Sequence, residues 1–284
     1  MSTLTPDEIA HLQSWIGREE EAVDIASPDL ARKLHATLSQ AGAAPALGQP
    51  LPQLAHFCLA QPAIAGEALG VDGHPPKGGF LPPVPLPRRM WAGGRLSFAA
   101  PLRVGDEVVK RSRILNVQYK EGRSGALCFV TVEHRLNVDG ADILREEQDI
   151  VYRAAATAPS APPKGEPAPA GTHQRQIAAS TTLLFRYSAL TFNGHRIHYD
   201  RSYAVNEEFY PGLVFHGPLQ ATLLANFAAE ITGKAPSAFE FRSLSPLYDL
   251  EPVLLNADVS GDEVTLWTNH PGGPVAMQAK ASFG

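Results

Sequence analysis

The residues best suited to chemistry lie in one short segment, residues 187–200, which reads YSALTFNGHRIHYD. The segment contains a serine, a threonine, an asparagine and two histidines, all of which can hold or move a proton. A helix-start signal, FHGPL at residues 215–219, follows it along the chain. Such a density of proton-handling groups is unusual for a core element. It indicates a site for acid–base chemistry on a small acyl substrate.

His198 is the candidate base of this segment. An unperturbed imidazole titrates at about pH 6.5, so it can take a proton from water and give one back near neutral pH. An isolated histidine is more often structural, but the polar surroundings favour a function here. Asn193 can orient a water with its carbonyl and donate with its amide. Asn193 followed by Gly194 is also a strong turn signal, so a purely structural role is the alternative.

Gly217 is the candidate oxyanion group because it offers a backbone N–H at a helix start. The helix dipole favours developing negative charge there, and the missing Cβ lets a thioester oxygen approach closely. The alternative is a small residue where a helix enters the core. His216 either polarises the site or shapes the turn, and the turn is favoured. Tyr187 and His216 are also candidates for substrate binding.

Three arginines lie in or near these segments: Arg186, Arg196 and Arg242. A guanidinium binds a carboxylate in bidentate geometry, so one of them is a candidate partner for a substrate carboxylate. A surface position or a contact with coenzyme A phosphates is equally consistent with the sequence.

No metal site is expected. His195, His198 and His216 form a group of histidines, but no Asp, Glu or Cys accompanies them at ligand spacing.

Composition limits the classes of partner. The 284 residues carry a formal net charge of −5, which argues against nucleic acid or an anionic membrane as the main partner. The N-terminal sequence MSTLTPDEIA lacks the pattern of a secretory signal, and no apolar run is long enough to span a membrane. Cys58 and Cys128 lie in apolar surroundings and are expected to be buried, reduced thiols. We therefore expect a cytoplasmic protein.

A Pro/Ala-rich stretch, residues 157–171, divides the chain into two halves and has the composition of a linker. Capping and proline signals predict helices that start near Thr5 and Ser27, and an apolar helix over residues 217–232. Alternating Val- and Ile-rich stretches predict strands from residue 88 onward, and residues 180–186 also have the pattern of a strand.

The two halves contain a similar short sequence segment. Residues 95–102 (RLSFAAPL) resemble residues 241–247 (FRSLSPL), because each leads a strand into a Pro-Leu exit. This echo predicts two copies of one fold. Antiparallel strands with a buried helix predict an α+β layer architecture.

The motifs resemble the MaoC-like, (R)-specific hydratase/dehydratase group of the hotdog fold. That group carries an Asp or Asn with a His five residues later, and a His-Gly-x-Leu at the start of its central helix. Asn193 and His198 have this spacing, and HGPL stands at residues 216–219. Residues 185–200, together with WIGRE at 15–19, MWAGG at 90–94 and the RVGDEV run, are similar to one branch. That branch holds the mitochondrial 3-hydroxyacyl-thioester dehydratases and the bacterial mesaconyl-CoA and itaconyl-CoA hydratases.

The resemblance implies a double hotdog, with two antiparallel sheets that each wrap a central helix. Residues 1–156 would form a non-catalytic scaffold and a wall of the acyl tunnel, and residues 172–284 would carry catalysis. The implied reaction is reversible hydration of a 2-enoyl-CoA, with a C5 dicarboxylic acyl group as the expected substrate. Coenzyme A would be part of the substrate, with no other cofactor. The chain would be a monomer or a homodimer.

One departure from the family matters for the chemistry. The larger hydratase family has Asp where this chain has Asn193, and a neutral amide cannot act as a general base. His198 is therefore expected to do most of the proton transfer.

Three alternatives stay open. One is a 3-hydroxyacyl-ACP or -CoA dehydratase acting on fatty acyl chains. The others are a thioesterase of the same fold and a non-catalytic acyl-binding module.

Overall fold

The computed structural model describes residues 4–122, 125–159 and 165–284. Within these ranges the chain forms one antiparallel sheet with α-helices on it. The strands are β1 (Glu19–Ile25), β2 (Arg88–Phe98), β3 (Glu107–Gly122), β4 (Gly125–Val138), β5 (Ala141–Arg153), β6 (His173–Ile177), β7 (Ala238–Ser243), β8 (Val253–Ser260), β9 (Glu263–Asn269) and β10 (Met277–Ser282). The α-helices are α1 (Pro6–Gln13), α2 (Pro28–Thr37), α3 (Thr181–Leu190), α4 (Arg201–Asn206) and α5 (Gly217–Thr232).

The sheet repeats one topology twice. The strand order is β1-β3-β4-β5-β2-β7-β10-β9-β8-β6. Read inward from its outer edge, the second half has the order β6-β8-β9-β10-β7, which corresponds strand for strand to β1-β3-β4-β5-β2. The halves meet where β2 pairs with β7, with Gly93 opposite Arg242 and Ser97 opposite Ala238. The two similar sequence segments, residues 95–102 and 241–247, therefore lie at equivalent strands, as a double hotdog requires.

The equivalence extends to the helix that follows each outer strand. Ser27 caps α2 by accepting from the Leu30 N–H at 3.1 Å, and Ser180 caps α3 by accepting from the Leu183 N–H at 3.2 Å. Each half thus begins with a strand and a serine-capped helix, because a serine side chain satisfies an otherwise unpaired N–H of the first turn.

The halves differ at the central helix, which corrects one expectation. The second half has α5, but residues 51–87 of the first half have only short 3-10 helices, Ala55–Cys58 and Gly66–Ala68. Repeated prolines in that stretch remove backbone donors and prevent a long helix. The expected wrapping of a central helix is therefore found in the C-terminal half alone within the described residues.

Helix α5 is the central helix of the second half. Its residues are small and aliphatic on nearly all sides, and it packs against β7, β8, β9 and β10. Pro218 lies in its first turn, and Gly233 ends it in the left-handed conformation, so both predicted limits of the helix are confirmed. At about 1.5 Å per residue it is about 24 Å long. None of the described helices is long and apolar enough to cross a membrane.

The stretch predicted as a strand at residues 180–186 is part of α3, so that prediction was wrong. The cap at Ser180 starts a helix whose buried residues, Leu184, Tyr187 and Ser188, have helical rather than alternating spacing. The edge strands β1 and β6 were not predicted. Their side chains are mostly exposed and polar, so they lack the alternating apolar signal.

The linker prediction is only partly covered by the described residues, because residues 160–164 lie outside them. The following stretch is held against the second half. The Trp267 indole donates to the Pro169 carbonyl at 3.0 Å, and the Gly171 N–H donates to Asn256 Oδ1 at 3.3 Å. The predicted domain limits stay a prediction.

The junction between β2 and β7 leads to a stability prediction. A Cβ at Gly93 would lie 2.6 Å from the Phe241 carbonyl oxygen, which belongs to the paired strand and has little freedom to move. We expect Gly93→Val to lower the free energy of unfolding by about 1–3 kcal/mol, measured by urea denaturation. Gly66→Ala is the control, since a Cβ there meets nothing within 4 Å. Equal stabilities of the two variants would contradict the tight junction.

Candidate active site

The predicted segment lies against the start of α5. After α3 the chain turns through a 3-10 helix, Arg196–His198, and enters α4. The Val214 N–H donates to the Ile197 carbonyl at 2.9 Å, and the His198 Nδ1–H donates to the Val214 carbonyl at 2.8 Å. These two bonds join the segment to the residues just before α5. They bring the two motifs of the sequence together.

The hydrogen bond to Val214 sets the tautomer of His198. A carbonyl oxygen only accepts, so Nδ1 carries the proton and Nε2 keeps a lone pair. The ring is 7% exposed and stacks on the His216 ring, with centroids 3.7 Å apart and planes inclined by 16°. His198 is therefore held rigidly with a basic nitrogen available.

His216 is the second ring of that stack and is fully buried. Its Nε2 lies 2.9 Å from the Ser188 hydroxyl, and its Nδ1 has no partner within the described residues. The Tyr187 ring meets it edge-on at 5.1 Å, and the Tyr187 hydroxyl lies 3.3 Å from Thr222 Oγ1. Tyr187 is thus a core residue behind the histidines, where its ring orients His216.

A loop of the N-terminal half completes the cluster. His74 Nδ1 lies 2.9 Å from Asp72 Oδ2. The His74 ring is 4.0 Å from the His195 ring between centroids, and the His195 ring meets His198 edge-on at 5.4 Å. Four imidazoles from both halves therefore form a continuous row, which begins at Asp72 and ends at His216.

Burial keeps these imidazoles neutral. Desolvation lowers the pKa of His198 to about 4 and lowers the pKa values of His195 and His216 well below the ordinary 6.5. Burial also lowers the pKa of His74, although Asp72 opposes the shift. Burial is the largest single influence on Asp72 and would raise its pKa, but the hydrogen bonds and charge of His74 and the charge of Arg89 together outweigh it and hold the pKa at about 2. At neutral pH the row consists of neutral rings beside one carboxylate.

The start of α5 offers a backbone donor. Gly217 is the first residue of the helix, and no side chain caps it. Within the described residues nothing accepts from its N–H. A Cβ at this position would lie 3.7 Å from Ser243 Oγ and 4.0 Å from the Trp91 carbonyl oxygen, so packing alone does not demand glycine. The helix start can therefore receive an anionic oxygen.

One set of side chains has the residue types of a metal site. Asp72, His74 and His195 place one ligand-type atom each within 4.8 Å of one another. Asp72 and His74 are hydrogen-bonded to each other, however, and the rings of His74 and His195 lie 4.0 Å apart. Two imidazoles on one tetrahedral zinc have centroids roughly 5 Å apart, given the Zn–N bond length. The pair does not fit such a centre, and the absence of a metal stays a prediction.

The chain was compared with known proteins. Residues 54–249 match the family described as hydroxyacyl-thioester dehydratase type 2. The chain is 44% identical over 276 residues to mesaconyl-C(4)-CoA hydratase of Chloroflexus aurantiacus, covering 97% of this chain and 99% of that protein.

The chain belongs to the hydroxyacyl-thioester dehydratase type 2 family.

Solved structures agree on the fold of this family member. A MaoC-like dehydratase from Phytophthora capsici superimposes with a TM-score of 0.69 at 11% identity, over 97% of this chain and 98% of that one. A Mycobacterium tuberculosis protein described as a double hotdog superimposes with a TM-score of 0.55 at 12% identity, over 94% and 96%. The predicted double hotdog and the predicted family are both confirmed.

Asn193 forms a turn in this dehydratase-family chain. Its Oδ1 accepts from the His195 N–H at 3.0 Å, and its own N–H donates to the Ser188 carbonyl at 2.8 Å. The side-chain oxygen expected to orient a water is therefore engaged by the backbone. The geometry favours the turn role that the sequence left open.

The three predicted arginines are not gathered at the histidine row. Arg186 is exposed on α3, and Arg242 is exposed on the face of β7 opposite the buried Phe241. Arg196 pairs with Asp200 at 2.8 Å and donates to the Val71 carbonyl at 3.0 Å. It thus fastens the N-terminal loop beside the site.

The sequence reasoning missed Asp72 and His74, and it counted Ser188 only as one of the polar residues of the segment. Asp72 and His74 lie in a Gly- and Pro-rich stretch that contains no predicted element and none of the motifs described above. The signal was the pairing of an acid and a histidine two residues apart in such a loop, VDGH at residues 71–74. Its distance of about 120 residues from the histidine motif hid the connection.

The lowered histidine pKa values predict acid sensitivity. The folded pKa of His198 lies below that of the unfolded chain, so the unfolded state binds more protons between about pH 6.5 and pH 4. Stability is therefore complete above this window and falls as the pH drops through it. His198→Gln should reduce the slope of unfolding free energy by up to about 1.4 kcal/mol per pH unit, measured by urea denaturation at several pH values. Replacing His173, which is exposed on β6, by Gln is the control, and equal slopes for both variants would refute the prediction.

Proposed function

We propose that this protein is a hydro-lyase that reversibly adds water to a 2-enoyl-CoA thioester, with a mesaconyl-type acyl group as substrate. The observation that carries the proposal is the open Nε2 of His198, fixed by the Val214 carbonyl beside the uncapped start of α5. Family membership supports it, and the Chloroflexus relative is named a mesaconyl-CoA hydratase.

The site supplies two of the groups that hydration needs. His198 Nε2 takes a proton from the water as the oxygen attacks the β-carbon. The Gly217 N–H and the positive end of α5 stabilise the charge that develops on the thioester oxygen. Burial favours the second step, because hydrogen bonds to charge are stronger in a medium of low dielectric constant. It also keeps His198 Nε2 unprotonated at neutral pH and therefore able to accept the proton.

Asn193 acts in this proposal through the turn that it forms. Its bond to the His195 N–H fixes the entry to the 3-10 helix on which His198 lies. The role is positional and requires no proton transfer by an amide. This accounts for a neutral residue where the larger family has an acid.

Arg89 is our candidate partner for a second carboxylate of the substrate. It lies half-buried on β2, and its charge contributes to the lowered pKa values of His74 and His195. A cation near the histidine row suits a dicarboxylic acyl group better than a fatty acyl chain. Itaconyl-CoA likewise has one free carboxylate on a C5 acyl group and belongs to the same proposed class.

The remaining parts of the proposal concern the cofactor, the cellular location and the oligomeric state. Coenzyme A enters as part of the substrate, and no other cofactor is required by the steps above. Cys58 and Cys128 are free thiols, as suits a reducing cytoplasm. Burial raises their pKa values to about 12 and about 11, so neither is a reactive thiolate. We propose a monomer or a homodimer of double-hotdog chains.

His198→Ala tests the assignment of the base. Loss of the proton acceptor should lower kcat for mesaconyl-CoA hydration by about 10²–10⁴-fold, followed as loss of enoyl absorbance. His173→Ala, on the exposed strand β6, is the control and should keep the wild-type rate. A folded His198 variant with near-normal turnover would exclude His198 as the base.

A substrate panel tests the acyl class. We expect mesaconyl-CoA or itaconyl-CoA to be hydrated with a kcat/KM about 10- to 100-fold above that of crotonyl-CoA, because a buried charge-assisted bond to the second carboxylate contributes about 1.5–3 kcal/mol. Arg89→Met should remove most of this preference. Arg242→Met, on the far face of β7, should retain it.

The panel also separates the alternatives. A higher kcat/KM for crotonyl-CoA or a longer enoyl-CoA would replace the dicarboxylate proposal with a fatty acyl dehydratase. Release of free thiol without loss of the enoyl group would indicate a thioesterase. Binding of acyl-CoA with neither reaction would indicate a binding module.

A further inference from the structure

Hydration needs a third group that neither His198 nor Gly217 provides. After the oxygen adds to the β-carbon, an acid must protonate the α-carbon. Asn193 is a neutral amide engaged in a turn, so it cannot serve. We propose that His74, held by Asp72 on a loop of the N-terminal half, is this acid. The proposal rests on the proposed hydration and makes the N-terminal half part of the catalytic machinery.

The first support is the way the loop is docked. The Arg196 N–H donates to the Asp72 carbonyl at 2.9 Å, and the Arg196 guanidinium donates to the Val71 carbonyl at 3.0 Å. A Cβ at Gly73 would lie 1.9 Å from the Gly194 carbonyl oxygen, and a Cβ at Gly194 would lie 2.7 Å from the Gly73 carbonyl oxygen. The two backbones therefore touch where only glycines fit. The loop lies directly on the motif that carries His198.

The second support is the geometry of the pair. The Asp72 carboxylate accepts from the His74 N–H of the backbone at 3.0 Å and pairs with His74 Nδ1 at 2.9 Å. Because Asp72 is ionised, it accepts the Nδ1 proton and leaves Nε2 as the reactive nitrogen. This is the arrangement in which a carboxylate orients a catalytic imidazole and stabilises its cation.

The third support is access. Across residues 4–122, 125–159 and 165–284, nothing hydrogen-bonds to His74 Nε2 or to His198 Nε2. Neither atom is among the fully buried polar atoms without a partner, which in these ranges include only one histidine nitrogen, His216 Nδ1. Both Nε2 atoms therefore reach solvent, with the His195 ring between the two imidazoles.

The step balances as follows. A water O–H bond breaks, its proton goes to His198 Nε2, and the oxygen bonds to the β-carbon. The electron pair of the C=C bond moves toward the thioester oxygen at Gly217. His74, neutral in the free enzyme, takes up a proton at Nε2 from solvent, and the Asp72 carboxylate stabilises the imidazolium. The Nε2–H bond of this imidazolium then breaks and a C–H bond forms at the α-carbon. The proton left on His198 returns to solvent, so one water is added and the enzyme is restored.

The charges around His74 come from several elements. Asp72 lies on the same loop and favours the imidazolium, whereas Arg89 on β2 disfavours it. His195 and His198 face it from the turn after α3, and both are neutral rings. The Lys77 ammonium is held by the Val84 and Leu86 carbonyls at 2.8 and 2.9 Å. Asp72 is thus the group that favours protonation of His74.

The test compares two variants with a control in mesaconyl-CoA hydration. His74→Gln should lower kcat by about 10²–10⁴-fold with little change in KM. Asp72→Asn should lower kcat by about 10- to 100-fold and move the alkaline limb of the kcat profile to lower pH by about one unit, because the carboxylate no longer favours the imidazolium. His173→Gln should match wild type. A His74→Gln enzyme with more than about a third of the wild-type kcat, or an unmoved limb in Asp72→Asn, would overturn the proposal.

A pair of glycine variants in the same loop tests the docking. Gly73→Ala places a Cβ against the Gly194 carbonyl and should lower kcat by about tenfold or more, because His74 is displaced. Gly79→Ala meets nothing within 4 Å and should leave kcat unchanged. Equal rates for both would count against the loop as a catalytic element. If His74→Gln does not fold, Asp72→Asn and Gly73→Ala decide the question.

Two further outcomes separate this proposal from its premises. If wild type hydrates none of the mesaconyl-, itaconyl- and crotonyl-CoA esters, the proposed function fails. If wild type is active, and the His74 and Asp72 variants have the same kcat as the His173→Gln control, the proposed function stands and the acid assignment fails. Wild type treated with EDTA should keep its rate. A loss restored by zinc would overturn the acid assignment, because the cluster would then be a metal site.

Discussion

The antiparallel pairing of β2 with β7 is the contact on which the rest of the structure depends. It joins two five-stranded halves into one sheet, with Gly93 and Gly94 packed against Phe241 of the partner strand. This pairing places the irregular loop before β2 beside the segment that leads into α5. Without this junction the loop with Asp72 and the motif with His198 would belong to separate bodies.

Desolvation is the second constraint, because it determines the state of every histidine in the row. Removal of imidazoles from water disfavours their charged forms, so the rings stay neutral near pH 7 and can stack as His198 and His216 do. The hydrogen bonds at each Nδ1 then decide which nitrogen is basic. One ring is held by a backbone carbonyl and another by a carboxylate, and the second arrangement gives the more stable cation.

The two halves have diverged around a shared topology. Where the second half starts α5, the first half has a short 3-10 helix, and His56 in it pairs with Glu146 at 3.1 Å inside the core. The first half has no long central helix, and residues 70–87 form a long loop before β2 instead. That loop fastens onto Gly194 of the other half. Loss of symmetry at the central helix, with the sheet itself still symmetric, has thus placed residues of one half at the site of the other.

Local signals in the sequence were enough for part of the fold. The starts of α1 and α2, both limits of α5 and the repeated text at β2 and β7 depend on caps, prolines, glycines and apolar spacing within a few residues. Edge strands β1 and β6 lack such signals, since exposed strands carry polar side chains on both faces. Helix α3 was misassigned because its apolar residues fit either period over so short a stretch.

The site divides in the same way. The sequence by itself determined the family and the helix start at Gly217, and it singled out His198 as the candidate base, because these lie in contiguous motifs. Only the tertiary structure decided that Asn193 closes a turn, that Arg186 and Arg242 lie away from the histidines, and that Asp72 and His74 lie beside them. Orientation and long-range proximity depend on the packing of segments about 120 residues apart, and no local pattern encodes the hydrogen bonds and close glycine contact that hold two such segments together.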